Sequence, residues 1–122
     1  MTLFEKGTDS MSEKTIDLTV FTTPLFRWMA ENDDYRLLET SKRDQLDGYV
    51  KARIAGEVPR IVKRAIPGSN PKLQDLTYRV FVAPESVNSA TFDKSVVLSL
   101  LEEAFDRLGE DVGNKIEKLK DN

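Results

Sequence analysis

The segment TFDKSVVLSLLEEAFDRL, residues 91–108, has the most regular apolar pattern in the chain. Its apolar residues recur every three or four positions, which is the spacing of one face of an α-helix. That face comprises Val97, Leu101, Ala104, Phe105 and Leu108. The pattern predicts a long amphipathic helix that covers the core with its apolar side. Since the stripe continues beyond Gly109, the helix either runs through this glycine or breaks there and restarts.

Two other segments alternate apolar and polar residues, which is the period of a β-strand. They are TIDLTVFT, residues 15–22, and LTYRVFVA, residues 76–83. In the first strand, Ile16, Leu18 and Val20 are expected on one face. Two strands do not make a stable sheet by themselves. A third strand is therefore expected from residues 35–39, from residues 58–66 or from a partner chain.

A short buried helix is predicted directly after the first strand. Thr23 is a suitable N-cap, and Pro24 suits a first helical turn because its missing N–H is not needed there. The helix then covers LFRWMAEN, residues 25–32, and ends at Asp33 and Asp34. The following YRLLE, residues 35–39, is ambiguous between a short strand and a loop.

A second middle helix is predicted over residues 42–55. Ser41 and Asp44 have the spacing of a capping box at its start. Gly56 is the expected C-terminal stop. Leu46, Tyr49, Val50 and Ile54 recur at helical spacing within it.

The most basic stretch of the chain is VPRIVKRAIPGSNPK, residues 58–72. Read as a helix, residues 58–66 place their apolar side chains on one stripe with Arg60, Lys63 and Arg64 opposite. Read as a strand, the same residues mix apolar and basic side chains on one face. The spacing favours a helix, while the β-branched content leaves a strand open. Residues 67–71 form a strong turn cluster.

Together these patterns predict an α+β fold. A small antiparallel or mixed sheet holds the strands at 15–22 and 76–83, and the long C-terminal helix and one or two middle helices cover it. Residues 15–122 are expected to form a single domain, preceded by a flexible polar arm over residues 1–14. This arm lacks the basic and apolar regions of a secretory signal, and Met11 is a second candidate start.

The composition excludes several classes of site. The 122 residues include no cysteine and no histidine. Disulfides, thiolate metal sites, histidine-ligated zinc and the Ser–His and Cys–His catalytic pairs are therefore ruled out. The chain has no run of 18 or more apolar residues, so no membrane span is predicted. We expect no enzymatic activity, no cofactor, no metal, no membrane partner and no small-molecule substrate, and a location in a reducing cell interior or in a virion.

Charge is segregated along the chain. Residues 51–79 contain seven Lys and Arg against two acidic residues, although the net charge of the whole chain is −3. The basic segment could contact phosphate groups, or it could dock onto an acidic protein surface. The candidate interaction residues are Lys51, Arg53, Arg60, Lys63, Arg64 and Lys72, together with the aromatic residues Phe21 and Trp28.

Acidic residues crowd the outer face of the predicted C-terminal helix. They are Glu102, Glu103, Asp106, Glu110 and Asp111. Spacing of four residues brings neighbouring carboxylates together, so a divalent-cation site is one interpretation. A solvated helix face is the favoured one, because sites for hard cations draw ligands from several elements.

These observations favour a non-catalytic protein-interaction or assembly subunit. Its partner would be another protein or a second copy of itself, as in a homo-oligomer or a virus-like particle. A small inhibitor or regulatory protein belongs to the same class. The alternative is a nucleic-acid-binding accessory protein that uses the basic segment 51–72.

Overall fold

The computed structural model describes residues 15–74, 78–82 and 94–120. Within these residues the chain forms three short strands and four helices. In chain order they are β1 (Thr15–Asp17), α1 (Thr19–Glu31), α2 (Asp33–Leu37), α3 (Thr40–Ala65), β2 (Lys72–Gln74), β3 (Arg79–Phe81) and α4 (Lys94–Lys120). The α+β prediction is confirmed, and the strands form an antiparallel sheet. The predicted arm over residues 1–14 lies outside the described residues.

Helix α4 runs without interruption for 27 residues and passes through Gly109 and Gly113. Its buried side consists of the predicted stripe and its predicted continuation beyond Gly109, Val112 and Ile116. A glycine inside a helix costs about 1 kcal/mol relative to alanine. Each fully buried valine or isoleucine stabilises the fold by about 1.5–3 kcal/mol, so the stripe outweighs the glycines and the helix does not break.

Helix α3 is a single helix of 26 residues that covers both predicted middle segments. The helical interpretation of residues 58–66 is confirmed, and the predicted stop at Gly56 is wrong. The reason is a continuous buried row at four-residue spacing: Leu46, Val50, Ile54, Val58 and Val62. Pro59 lies inside the helix rather than in a first turn.

The first strand is shorter than its alternating pattern predicted. β1 ends at Asp17, and α1 begins at Thr19 rather than after Thr23. The Asp17 carboxylate accepts hydrogen bonds from the Thr19 N–H at 2.9 Å and from the Thr19 hydroxyl at 2.7 Å. The bond from the Thr19 N–H satisfies a backbone donor at the start of the helix. As a result Val20, expected beside Ile16 on a sheet face, lies on α1 with 63% of its surface exposed.

The sheet has the strand order β1-β3-β2, and both pairings are antiparallel. The third strand is β2, so the expectation that residues 35–39 or 58–66 supply it is wrong. A turn at residues 66–69 returns the chain: Gly68 has φ 87°, and the Ser69 hydroxyl donates to the Ile66 carbonyl at 2.6 Å. Of the predicted strand 76–83, residues 79–81 form β3, while 76, 77 and 83 lie outside the described residues.

The two faces of the sheet differ in polarity. Ile16 and Val80 are directly paired and fully buried, and Leu73 pairs with Val80 from the other side. These residues belong to the same core as the apolar sides of α1, α3 and α4. The opposite face presents exposed Lys72 and Arg79, so one side of the sheet is packed against helices.

Residues 33–37 form the one-turn helix α2, although part of this segment was ambiguous between strand and loop. The Asn32 side chain caps it by accepting a hydrogen bond from the Tyr35 N–H at 2.9 Å. Among the described residues, no helix is both long enough and apolar enough to cross a bilayer.

Candidate protein-interaction surface

A groove of about 630 Å³ lies between α1 and the middle of α4. We call it the α1–α4 groove. One wall is apolar and comes from α1, and the other is acidic and comes from α4. The wall residues are Val20, Pro24 and Trp28 on α1, and Glu102, Asp106 and Glu110 on α4.

The apolar wall exists because α1 starts early. Val20, Pro24 and Trp28 are four residues apart, so they lie along one side of the helix. The opposite side of α1 is buried through Thr22, Leu25 and Met29. Val20 and Trp28 remain 63% and 42% exposed. A valine and a tryptophan are thus left in partial contact with water on the same surface.

Two stacked phenylalanines form the base of the groove. The rings of Phe21 and Phe105 lie 5.1 Å apart between centroids with an interplanar angle of 12°. Phe105 is buried and Phe21 is half-buried. This contact joins α1 to α4, so the two walls are held at a defined separation.

The acidic wall is a line of three exposed carboxylates spaced by four residues. Neighbouring like charges at this spacing destabilise a helix by about 0.2–0.5 kcal/mol per pair. Neither Glu102, Asp106 nor Glu110 forms an ion pair with another described residue. No ion pair within the described parts of the chain therefore offsets the repulsion along this wall.

Gly109 lies in the same wall between Asp106 and Glu110. A Cβ placed on it would meet nothing within 4 Å. Packing among the described residues does not require this glycine, and its absent side chain leaves the groove open. Gly48 and Gly56 on the exposed side of α3 are equally unconstrained, so Gly109 adds to the groove geometry without defining a site alone.

Arg53, a candidate interaction residue, is bonded to three other residues of the chain. Its guanidinium pairs with Glu57, with Asp111 of α4 at 2.7 Å and with the Tyr49 hydroxyl at 2.6 Å. The hydrogen bonds to Asp111 and then to Glu57 raise the pKa of Arg53 above its ordinary value. This residue joins α3 to α4 through Nε and Nη1, and these bonds use three of its five N–H donors.

The other predicted basic residues are distributed over three places. Lys51 lines a second cleft of about 390 Å³ between α1 and α3. Arg60, Lys63 and Arg64 are exposed on the last two turns of α3, and none forms an ion pair with another described residue. Lys72 is exposed on the outer face of the sheet. The structure therefore brings only three of the six basic residues together.

The second cleft has polar groups that already satisfy each other. The Tyr35 hydroxyl donates to the Asp47 carboxylate at 2.7 Å. Burial, followed by this hydrogen bond, raises the pKa of Tyr35 to about 12. Because the Asp47 carboxylate is bonded to the Tyr35 hydroxyl, the cleft offers fewer free polar groups than the α1–α4 groove.

The two aromatic candidates, Phe21 and Trp28, both line the α1–α4 groove. Sequence reasoning missed Val20, which the alternating pattern assigned to a sheet face. It also missed Val96 and Leu100, which are 50% and 38% exposed on α4. Their position beside the apolar stripe, rather than in it, was the available signal.

The carboxylates of α4 do not assemble a metal site. Glu102 and Asp106 border the groove, while Glu103 does not. Within the described ranges, no three acidic residues lie together in an arrangement that could hold a metal ion.

Comparison of this chain with protein-family models, with curated proteins and with solved structures finds no match. The assignment of the candidate surface consequently rests on the geometry of the chain itself.

Proposed function

We propose that this protein is a non-catalytic protein-binding subunit and that the α1–α4 groove is its contact surface. The observation that carries the proposal is the pairing of an exposed apolar wall with an uncompensated acidic wall. Tryptophan is enriched among the residues that dominate binding energy at protein interfaces. An apolar patch with a charged border is typical of such interfaces.

The chemistry of the two walls defines the partner. Val20 and Trp28 would be covered by apolar side chains, and burial is favourable by about 25 cal/mol per Å². Glu102, Asp106 and Glu110 would face Lys or Arg, which increases the association rate and fixes the orientation. The expected partner surface is therefore both apolar and basic. Because the acidic wall is exposed, its contribution should weaken with salt.

The test uses Trp28, which is the only tryptophan in the chain. The probe is a synthetic helical peptide with a leucine face and an arginine face. We expect it to shift the Trp28 emission to the blue and to protect the ring from acrylamide, with saturation at low salt. A peptide with the same leucine face and glutamate in place of arginine should have no such effect.

Matched variants locate the binding site. Glu102→Gln with Asp106→Asn should weaken binding of the basic peptide, whereas Glu39→Gln with Asp44→Asn, at exposed positions near the start of α3, should not. Equal effects of the basic and acidic peptides, or no effect of either, would count against the proposal.

A nucleic-acid-binding function is the second candidate. It is favoured by Arg60, Lys63 and Arg64, which are exposed together without acidic partners among the described residues. It is disfavoured by the engagement of Arg53 with Asp111. Replacing the three exposed residues by alanine should abolish retention of nucleic acid at low salt, and unchanged retention would remove this candidate.

A further inference from the structure

Exposed apolar side chains are concentrated at two places. Among the described residues, five large apolar side chains are mainly or substantially exposed: Val20, Trp28, Leu37, Val96 and Leu100. Two of them line the α1–α4 groove. Two others, Val96 and Leu100, lie one helical turn apart on α4 and need a different explanation.

The packing of α3 on α4 places Leu100 beside Arg64. The helices are antiparallel: Arg53 pairs with Asp111 at 2.7 Å, and Lys42 donates to the Leu119 carbonyl at 3.0 Å. Eleven residues make about three helical turns. Arg64 therefore lies on the same side of α3 as Arg53, and Leu100 on the same side of α4 as Asp111.

The same register extends this surface by one turn along each helix. Arg60 precedes Arg64 by four residues, and Val96 precedes Leu100 by four residues, so each lies one turn from its neighbour. Because the helices are antiparallel, these two steps run in opposite directions, and the four residues form one diagonal row. We call the set Arg60, Arg64, Val96 and Leu100 the basic–apolar surface. It carries two cations without acidic partners among the described residues and two exposed apolar side chains.

The basic–apolar surface is complementary to the groove. Each combines two exposed apolar side chains with a row of uncompensated charge, and the charges are opposite. Leu100 also faces away from the acidic wall at Glu102, because Glu102 follows it by two residues and thus lies about 200° around α4. A chain therefore cannot fill its own groove with this surface, whereas a second chain can.

We infer that the occupant of the α1–α4 groove is the basic–apolar surface of a second copy of this chain. This inference rests on the proposed function and names its partner. The contact is head-to-tail, since different surfaces of the two copies meet, and such contacts close into rings or extend into filaments. Every copy keeps one groove and one basic–apolar surface available for the next.

Charge-reversal variants test the inference by light scattering after size exclusion. The groove variant is Glu102→Lys with Asp106→Lys, and the surface variant is Arg60→Glu with Arg64→Glu. Each should weaken self-association by about tenfold or more, because attraction is replaced by repulsion. Mixing the two variants should restore association, since both contacts are then complementary between unlike chains.

A control separates the local contact from net charge. Glu39→Lys with Asp44→Lys changes the total charge as much as the groove variant does, at exposed positions near the start of α3 and outside both surfaces. It should leave self-association within about twofold of the original chain, as exposed charges away from a contact contribute little. Circular dichroism of each variant verifies that the helices are retained.

The outcomes distinguish this inference from the proposed function. A chain that stays monomeric while the basic peptide still protects Trp28 overturns the second-copy inference and leaves the protein-binding function standing. A monomer that also ignores the peptide overturns both. An oligomer that survives both reversals, or that dissociates when nuclease removes bound nucleic acid, places the contact elsewhere and overturns the inference.

Discussion

The two sides of α4 differ in whether the charged and apolar side chains there have partners within the chain. On the side of α3, Asp111 is paired with Arg53, and Lys115 lies 4.4 Å from the centre of the Tyr49 ring. On the side of α1, the acidic wall forms no ion pair with another described residue, and Val20 is mainly exposed. The α3 side is thus satisfied within the chain, while the α1 side is the one that we propose a partner covers. Under that proposal, one side of the helix stabilises the fold and the other side binds.

The largest expected effect comes from valine-to-alanine substitutions, one on the α3 side of α4 and one on the α1 side. Val58→Ala removes a side chain that is 2% exposed and faces α4, and it should lower the free energy of unfolding by about 2–3 kcal/mol. Val20→Ala, at a site 63% exposed, should change it by no more than about 0.5 kcal/mol. Urea denaturation measures both. A comparable loss for the two variants would contradict the contrast between the sides.

Removal of Arg53 should have the next largest effect. Arg53→Met leaves Glu57 and Asp111 without their cation while keeping most of the apolar stem. Since these groups are only partly buried, with side-chain exposures of 24–48%, we expect a loss of about 1–2 kcal/mol. Arg60→Met, which breaks no ion pair among the described residues, is the control for urea denaturation. Equal stability of the two variants would show that the Arg53 cluster does not stabilise the fold.

The start of α1 should respond to acid through Asp17. Hydrogen bonds from the Thr19 backbone and hydroxyl, in that order, lower the pKa of Asp17 below 3.8. A lowered pKa in the folded state means that Asp17 contributes stability above its unfolded pKa and loses it as the pH falls through the folded value. Asp17→Ala should cost about 1 kcal/mol at neutral pH, and the difference from the original chain should vanish at low pH. Denaturation at several pH values checks the sign, and a difference that grows with acid would contradict it.

Alanine at two helical glycines should separate folding from binding. Gly109→Ala and Gly56→Ala should each stabilise the chain by about 0.5–1 kcal/mol, because a Cβ meets nothing within 4 Å and alanine favours the helix. Thermal unfolding measures the gain. Gly109→Leu should in addition fill the groove and reduce binding of the basic peptide, while Gly56→Leu should leave binding unchanged. Equal binding by both leucine variants would argue against the groove as the contact surface.

The smallest expected change in stability comes from neutralising one carboxylate on each side of α4. Asp106→Asn relieves repulsion from Glu102 and Glu110 and should stabilise the chain by about 0.2–0.5 kcal/mol. Asp111→Asn removes the partner of Arg53 and should destabilise it. Opposite signs in urea denaturation at low salt are expected, and the stabilisation should fade at high salt. A loss of stability in Asp106→Asn would mean that this residue has a partner within the chain.

Local patterns predicted the elements with long apolar stripes and missed those set by single capping bonds. The stripe from Val97 to Leu108 is periodic enough to specify α4 whatever surrounds it. The segment at 15–22 fits a strand equally well by alternation, yet the Asp17 carboxylate stops the strand after three residues. Hydrogen bonds to one side chain at a boundary carry no periodic signal, so the early start of α1 and the exposure of Val20 were not predictable.

The candidate site was only partly predictable for the same reason. Phe21, Trp28, Arg60, Lys63 and Arg64 were identified from composition and spacing, but composition could not tell Arg53 from its neighbours. Arg53 and Asp111 are 58 residues apart, and whether a charge is paired depends on which helices pack together. Among the described residues, Glu102, Glu103 and Asp106 belong to no group that could hold a metal ion, because adjacent residues of one helix point in different directions.

The amino-acid sequence alone determined the α+β class, the amphipathic side of α4 and the exclusion of histidine and cysteine chemistry. These properties depend on residue type and on periods of two to four residues. The tertiary structure decided the third strand, the pairing of Arg53 and the existence of the groove with opposed apolar and acidic walls. Each of these needs two segments distant in sequence to meet, and that meeting is set by how the apolar faces pack around one core.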